Sequence, residues 1–191
     1  MAYLTKESMR GAGSRHITMQ RSLAKSDRTI INEASAFDAD LTYDVFLSHA
    51  IRDRTLVLGV KSRLELKDLS VYVDWIDDAD FDRTEVTEKN ARRLRRRLRR
   101  CRSLIYLATN NASKSKWMPW ELGYFNGRNK GLIGVLPVLD DPDEAFEGQE
   151  FLGLYPVIKA LNTRAGRVRL FVTETATDPI LLARAIEPAT S

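Results

Sequence analysis

The chain has 191 residues, of which 43% are hydrophobic and 29% charged, and its formal net charge is +4. This length and balance are typical of one globular domain of ordinary size with an appendage. A single cysteine, Cys101, and two histidines, His16 and His49, exclude an internal disulfide and argue against a metal site built on these residue types.

The first 40 residues carry no sustained hydrophobic period. They mix single apolar residues with Ser, Thr, Gly and charges of both signs, so we expect residues 1–40 to be a flexible or partly helical extension. This segment lacks the apolar core of a secretory signal. No apolar run in the chain approaches the roughly 20 residues of a membrane span. We therefore expect a cytoplasmic protein without membrane contact.

From residue 41 onward, short apolar runs alternate with helical patterns. The runs are nearly continuous in Val, Ile, Leu, Phe and Tyr, which is typical of strands buried on both faces of a parallel sheet. They predict five strands, at residues 43–48, 70–75, 103–109, 131–138 and 167–173. The intervening patterns predict helices at residues 53–67, 84–101, 116–127, 146–160 and 178–186.

This alternation predicts an α/β fold. We expect residues 41–191 to form one domain, a three-layer sandwich around a five-stranded parallel sheet of flavodoxin-like order. Ligands bind such sheets at the carboxyl ends of the strands, which here carry the segments SHAIRD, DWIDDADFDR, TNNASKSKW and PVLDDPDE. No GxGxxG or GxxxxGK[ST] loop follows the first strand, so neither a Rossmann nor a P-loop nucleotide site is indicated. Ser48 and His49 are neighbours at a strand end and point to opposite sides, which disfavours a nucleophile–base pair.

Residues 91–102, ARRLRRRLRRCR, hold eight arginines and no acid. Val86, Asn90, Leu94, Leu98 and Cys101 fall on one helical stripe, which predicts an amphipathic helix with its arginines turned to solvent. The basic face is either a solvated surface or a contact for an acidic partner or a second copy. Nucleic acid is disfavoured because no aromatic side chain interleaves the arginines.

Residues 115–127, SKWMPWELGYFNG, place a carboxylate among aromatic rings. In a helix over residues 116–127, Trp117 and Glu121 lie one turn apart on one face, and Pro119 falls in the first turn, where its missing amide costs nothing. A poorly solvated carboxylate is suited to stabilising positive charge. The spacing alone leaves a second interpretation open, in which Glu121 is a helix-surface residue near the positive end of the dipole.

These motifs together resemble a bacterial TIR (Toll/interleukin-1 receptor) domain over about residues 41–186. The resemblance rests on YDVFLSHA, on the acidic loop after VYVDW, and on the W-x-x-x-E spacing of Trp117 and Glu121. It implies a five-stranded parallel sheet and an enzyme that cleaves NAD+ between nicotinamide and ribose, with Glu121 as the catalytic residue. NAD+ would be the substrate, and no cofactor or metal would be required.

One carboxylate is sufficient for that reaction. Most glycosidases need two because the leaving oxygen must be protonated. Nicotinamide in NAD+ is already cationic and leaves as a neutral molecule. A single group that stabilises an oxocarbenium-like transition state therefore serves.

The resemblance also implies a substrate site. The positions at which family members hold the substrate or gate access to it correspond here to Trp117, Phe46, Ser48, His49 and Asp74, together with the loop from Trp75 through Asp80 to Thr84. Related enzymes complete the site with a loop from a neighbouring chain, which implies self-association of TIR domains. Stand-alone TIR proteins of Thoeris-type anti-phage defence make an ADP-ribose-derived product that switches on a separate effector.

Several points stay open at the level of sequence. The product is linear, cyclic or conjugated ADP-ribose according to which nucleophile reaches the anomeric carbon. The alternative function is a non-enzymatic TIR scaffold that acts through TIR–TIR contact. Pro119 and Trp120 depart from the family pattern, and the arginine run has no counterpart in it.

Overall fold

A computed structural model of the chain describes residues 2–24, 41–78, 86–142, 144–162, 168–173 and 180–186. The strands are β1 (Leu4–Thr5), β2 (Tyr43–Ser48), β3 (Val71–Tyr72), β4 (Cys101–Ala108), β5 (Ile133–Leu139), β6 (Val157–Asn162), β7 (Val168–Thr173) and β8 (Ile180–Leu181). The helices are α1 (Lys6–Ala24), α2 (Arg54–Glu65), α3 (Asp74–Asp77), α4 (Glu88–Arg99), α5 (Trp117–Arg128) and α6 (Leu182–Ile186). Short 3₁₀ turns span Ile51–Asp53, Ala112–Lys114 and Glu150–Leu154.

The strands form one sheet in the order β3-β2-β4-β5-β6-β7-β8, with β1 paired to β5. The five strands from β3 to β6 in that order are parallel, so the predicted α/β fold with a parallel sheet of flavodoxin-like order is confirmed. The chain runs from β2 outward to β3 and then returns to β4 on the other side of β2. The carboxyl ends of β2 and β4 therefore form the topological switch point, where ligands bind in open α/β sheets.

Two elements near the carboxyl terminus differ from the prediction. The helix expected at residues 146–160 is wrong, because this segment forms the turn Glu150–Leu154 and then strand β6. Pro156 holds the preceding Tyr155 in extended backbone, and the side chains of β6 then alternate, with Ile158 and Ala160 buried. β6 is the fifth parallel strand, whereas the expected fifth strand at residues 167–173 is β7 and pairs antiparallel to β6.

The sheet separates two apolar clusters. One cluster packs against α1, α2 and α6 and includes Val45 and Leu47 of β2. The other packs against α4 and α5 and includes Phe46 of the same strand. Side chains of β2 alternate between the two faces, as the period of a strand requires. The result is the predicted three-layer sandwich.

The described part of the amino-terminal segment packs closely on the sheet and on α2. Ala2 and Ala160 exchange two backbone hydrogen bonds, of 2.9 and 2.8 Å. α1 approaches α2 at backbone distance, because a Cβ on Gly59 would lie 1.9 Å from the carbonyl oxygen of Met9. Glycines and a buried methionine lie at this contact. Because glycine has no apolar side chain, the sequence of α1 shows no hydrophobic stripe that would have predicted the helix. Residues 25–40 lie outside the described part, and the domain boundary at residue 41 stays a prediction.

Helix α4 carries the arginine run, and one of its arginines is buried. Leu94, Leu98 and Asn90 face the core as predicted, but Val86 precedes the helix and is exposed. Arg97 is only 2% exposed and donates two hydrogen bonds to the carboxylate of Asp78, of 3.2 and 2.9 Å. The expectation that the arginines all face solvent is therefore wrong at Arg97, which pairs with a buried acid.

Candidate active site

Glu121 lies in the second turn of α5 and is fully buried. Its Oε2 accepts a hydrogen bond of 2.6 Å from the Ser48 hydroxyl at the carboxyl end of β2. α5 begins at Trp117, so Pro119 falls in the first turn without disturbing the helix, and the side chain of Glu121 turns toward the sheet. The alternative of a surface glutamate is wrong. A buried carboxylate is retained only where donors satisfy it, and Ser48 is one such donor.

Tyr106 is a neighbour of this pair that the sequence did not single out. It is fully buried, and its Cα lies directly opposite that of Ser48 in the β2–β4 register. Burial and the negative charge of Glu121 raise the pKa of Tyr106 to about 12, so the phenol stays protonated at neutral pH. Its hydroxyl donates to Oε1 of Gln149 at 3.2 Å. Its signal in the sequence is a tyrosine among the aliphatic residues of the second half of β4, LIYLA.

Trp117 is 4% exposed and packs edge-to-face on Trp120, with ring centroids 5.4 Å apart. It lines a cavity of about 180 Å³ between the loop after β2 and the loop after β4. The cavity is lined by Ala50, Ile51, Arg52, Val86, Asn111, Lys114, Ser115, Lys116 and Trp117. Three of these residues are cationic and none is acidic. Ser48 and Glu121 do not line the cavity, and Glu121 is fully buried, so side chains must move before a ligand in the cavity can reach its carboxylate.

His49, Asp74 and Trp75 form a second group on the other side of β2. The indole N–H of Trp75 donates to Nε2 of His49 at 3.0 Å. His49 therefore carries its proton on Nδ1, which donates to the carbonyl oxygen of Leu47 at 2.8 Å. The carboxylate of Asp74 lies 3.6 Å from Nε2 of His49. These hydrogen bonds fix the orientation of the imidazole ring.

The structure places the residues that the resemblance assigned to the site in separate groups on the two faces of the sheet. Ser48 contacts Glu121, and Trp117 lies one helical turn away. His49, Asp74 and Trp75 meet one another on the opposite face, as the alternation of a strand end predicts for Ser48 and His49. Phe46 is a core residue, with its ring 5.2 Å from that of Tyr72.

Asp80 and the rest of the acidic segment 79–85 lie outside the described residues. In the part of the chain that is described, no group of three His, Cys, Asp or Glu side chains is arranged to hold a metal ion. No helix within the same ranges is long and apolar enough to cross a membrane.

Comparison with known proteins decides the family. Residues 45–166 match the family described as "TIR domain". This chain belongs to the TIR domain family. The resemblance drawn from YDVFLSHA and the W-x-x-x-E spacing is therefore confirmed.

Two curated relatives are similar to this TIR domain chain. A "Probable 3' cyclic ADP-D-ribose synthase ThsB'" of Bacillus cereus (strain MSX-D12) is 46% identical over 123 residues, which is 64% of this chain and 63% of the relative. A "Putative cyclic ADP-D-ribose synthase TIR2" of Cytobacillus dafuensis is 31% identical over 94 residues, covering 49% of this chain and 25% of that protein. The matched part of the chain spans less than two thirds of either relative.

A solved structure with a weaker likeness is the TIR domain of the Toll-related receptor TRR-2 of Hydra magnipapillata. It is 19% identical, covers 58% of this chain and 78% of that one, and superimposes with a TM-score of 0.42.

Proposed function

We propose that this chain is an NAD+-cleaving TIR enzyme that breaks the nicotinamide–ribosyl bond and releases a cyclic ADP-ribose. The observation that carries the proposal is Glu121, a buried carboxylate hydrogen-bonded by Ser48 at the switch point of the sheet. Relatives named as cyclic ADP-D-ribose synthases support a cyclic product over a linear one.

The charge of Glu121 suits the transition state of this reaction. As the bond between C1′ and the nicotinamide nitrogen breaks, its electron pair leaves with nicotinamide, which becomes neutral. Positive charge then develops on the ribose, where a fixed carboxylate stabilises it. A nucleophile of the same ADP-ribose attacks C1′ and loses its proton, which closes the ring and consumes no water. Ser48 orients the carboxylate through its hydrogen bond.

The cavity beside Trp117 suits the diphosphate of the substrate. Arg52 reaches it from the loop after β2, and Lys114 and Lys116 from the loop after β4. The amino terminus of α5 adds the positive end of a helix dipole to the same wall. Cations on both sides of the cavity would hold an anionic linker, while the nicotinamide-bearing ribose extends toward Glu121.

The biological role in the proposal follows the family. The protein would act in the cytoplasm in Thoeris-type defence against phage, where its product activates a separate effector. It needs no cofactor or metal, and self-association of TIR domains would complete the site. The alternative, a scaffold that works only through TIR–TIR contact, predicts no turnover.

The test is incubation of concentrated protein with NAD+ in H₂¹⁸O, alone and with lysate of infected cells, followed by mass spectrometry. A cyclic product has the mass of ADP-ribose less one water and carries no label, whereas hydrolysis yields ADP-ribose with one ¹⁸O. The proposal expects the unlabelled cyclic species. Labelled ADP-ribose alone would refute cyclisation, and intact NAD+ in both conditions would favour the scaffold.

A further inference from the structure

A buried carboxylate that the sequence did not single out spans the switch point. Asp53 ends the turn after β2 and is 5% exposed. Its Oδ2 accepts a hydrogen bond of 2.6 Å from the hydroxyl of Thr109, and its Oδ1 accepts one of 2.7 Å from the side-chain amide of Asn111. The backbone N–H of Asn111 in turn donates to the Thr109 hydroxyl at 3.2 Å. One side chain therefore ties together loops that are more than 50 residues apart in sequence.

These loops are the two walls of the cavity beside Trp117. Residues 50–52, just before Asp53, form one wall, and Asn111 with residues 114–117 forms the other. Asp53 itself is not among the lining residues, so its carboxylate acts on the cavity through Asn111 and the backbone.

We propose that Asp53 is a positioning residue that fixes the distance between Arg52 on one wall and Lys116 and Trp117 on the other. This inference rests on the proposed function, because those walls are where the dinucleotide would bind. Each of the two side-chain oxygens of Asp53 accepts one hydrogen bond, so this one side chain holds Thr109 and Asn111 at the same time. The hydrogen bonds of Asp53, rather than its charge, perform this role.

The distinction between hydrogen bonds and charge can be tested by substitution. In Asp53→Asn, the amide oxygen still accepts from Asn111 and the amide nitrogen can donate to the Thr109 hydroxyl, because a hydroxyl accepts as well as donates. In Asp53→Ala, both links are lost. We expect the KM for NAD+ to rise about tenfold in Asp53→Ala with little change in kcat, as when binding common to substrate and transition state is lost. In Asp53→Asn the KM should stay within about threefold of wild type.

Asp44 offers a matched control at the amino-terminal end of β2, opposite to the end that carries Asp53. Its carboxylate accepts from the backbone N–H and hydroxyl of Ser70, at 2.9 and 2.7 Å, and from Arg102 at 3.0 Å. It therefore also ties separate segments together, but far from the cavity. Asp44→Ala should lower the melting temperature and leave the KM unchanged.

Four outcomes decide the proposal. A raised KM in Asp53→Ala that Asp53→Asn rescues supports it. A loss of kcat in both variants would show that the charge itself is required, which overturns the proposal. An unchanged KM in Asp53→Ala with a lower melting temperature would show that Asp53 has only a structural role, which also overturns it. If wild type turns over no NAD+, the proposed function fails separately. Hydrogen exchange of the backbone amides then decides the proposal about Asp53. We still expect faster exchange at residues 50–53 and 109–116 in Asp53→Ala but not in Asp53→Asn. Absence of this difference overturns the proposal.

Discussion

The contact between Ser48 and Glu121 joins residues that are 73 positions apart in sequence. Helical spacing predicted that Glu121 shares a face with Trp117, but it left open whether that face is buried. The family resemblance assigned Ser48 to the site, but it did not identify Ser48 as the partner of Glu121. Tyr106 and Asp53 were missed because each finds its partners on another element, and a single sequence carries no record of such contacts.

Removal of the Ser48 hydroxyl should slow the reaction more than it weakens the fold. In Ser48→Ala, the carboxylate of Glu121 loses a donor that orients it, and misplaced catalytic groups lose large rate factors. We expect kcat/KM for NAD+ to fall at least about tenfold, with a loss of about 1 kcal/mol in unfolding free energy. Steady-state kinetics and urea unfolding measure the two effects.

Ser103 provides the control for that substitution. It is equally buried on β4, and its hydroxyl donates to the carbonyl oxygen of Asp44 at 2.6 Å, at the other end of the sheet. Ser103→Ala should cost similar stability and leave kcat/KM unchanged. Equal kinetic losses in the two variants would contradict a specific role for Ser48.

At the scale of elements, the contact between α1 and α2 depends on glycine. A Cβ on Gly59 would lie 1.9 Å from a backbone oxygen of α1, whereas a Cβ on Gly123 of α5 meets no atom within 4 Å. We expect Gly59→Ala to destabilise the protein by about 1–3 kcal/mol, because the helices must separate. Gly123→Ala should stabilise it by roughly 0.5–1 kcal/mol through helix propensity. Chemical unfolding of both variants tests this, and shifts of the same sign would contradict the close approach of α1 and α2.

Arg97 shows that the arginine run of α4 is not uniform. Arg97 and Asp78 are a buried ion pair, and the hydroxyl of Tyr72 donates to the same carboxylate at 2.7 Å. Burial tends to lower the pKa of Arg97, but the hydrogen bonds and charge of Asp78 outweigh burial and hold it above its usual value. The amphipathic pattern predicted the helix correctly. It could not reveal Arg97 because the partner lies on another element.

Substitution of Arg97 should be far more costly than substitution of an exposed arginine. Arg97→Met leaves Asp78 buried without its cation, which costs about 3–5 kcal/mol. Arg92 has a side chain that is 72% exposed, and Arg92→Met should change stability by less than about 0.5 kcal/mol. Urea unfolding of both proteins measures the difference, and similar small losses would show that the Arg97–Asp78 pair does not support the fold.

At the scale of the whole molecule, the order of the parallel strands followed from the alternation of short apolar runs with helical patterns. The pattern did not predict β6. Residues 157–162 mix Lys and Asn with apolar residues, and the apolar residues of the preceding turn have the spacing of a helix. The pattern also failed to show α1 packed on α2. β6 is held by its pairing with β5 and β7, and α1 by backbone contact with α2. The switch point between β2 and β4 was predictable from topology, and the proposed site lies there.

The central claim is that the carboxylate of Glu121 promotes cleavage of the nicotinamide–ribosyl bond, and release of nicotinamide from NAD+ tests it most directly. The assay compares wild type with Glu121→Gln, which keeps the size of the side chain, and with Glu150→Gln, an exposed glutamate outside the site. We predict that Glu121→Gln lowers the rate of nicotinamide release by about 10²–10³-fold, while Glu150→Gln equals wild type and all three proteins unfold cooperatively. Nicotinamide release by a folded Glu121→Gln protein at the wild-type rate would contradict the account.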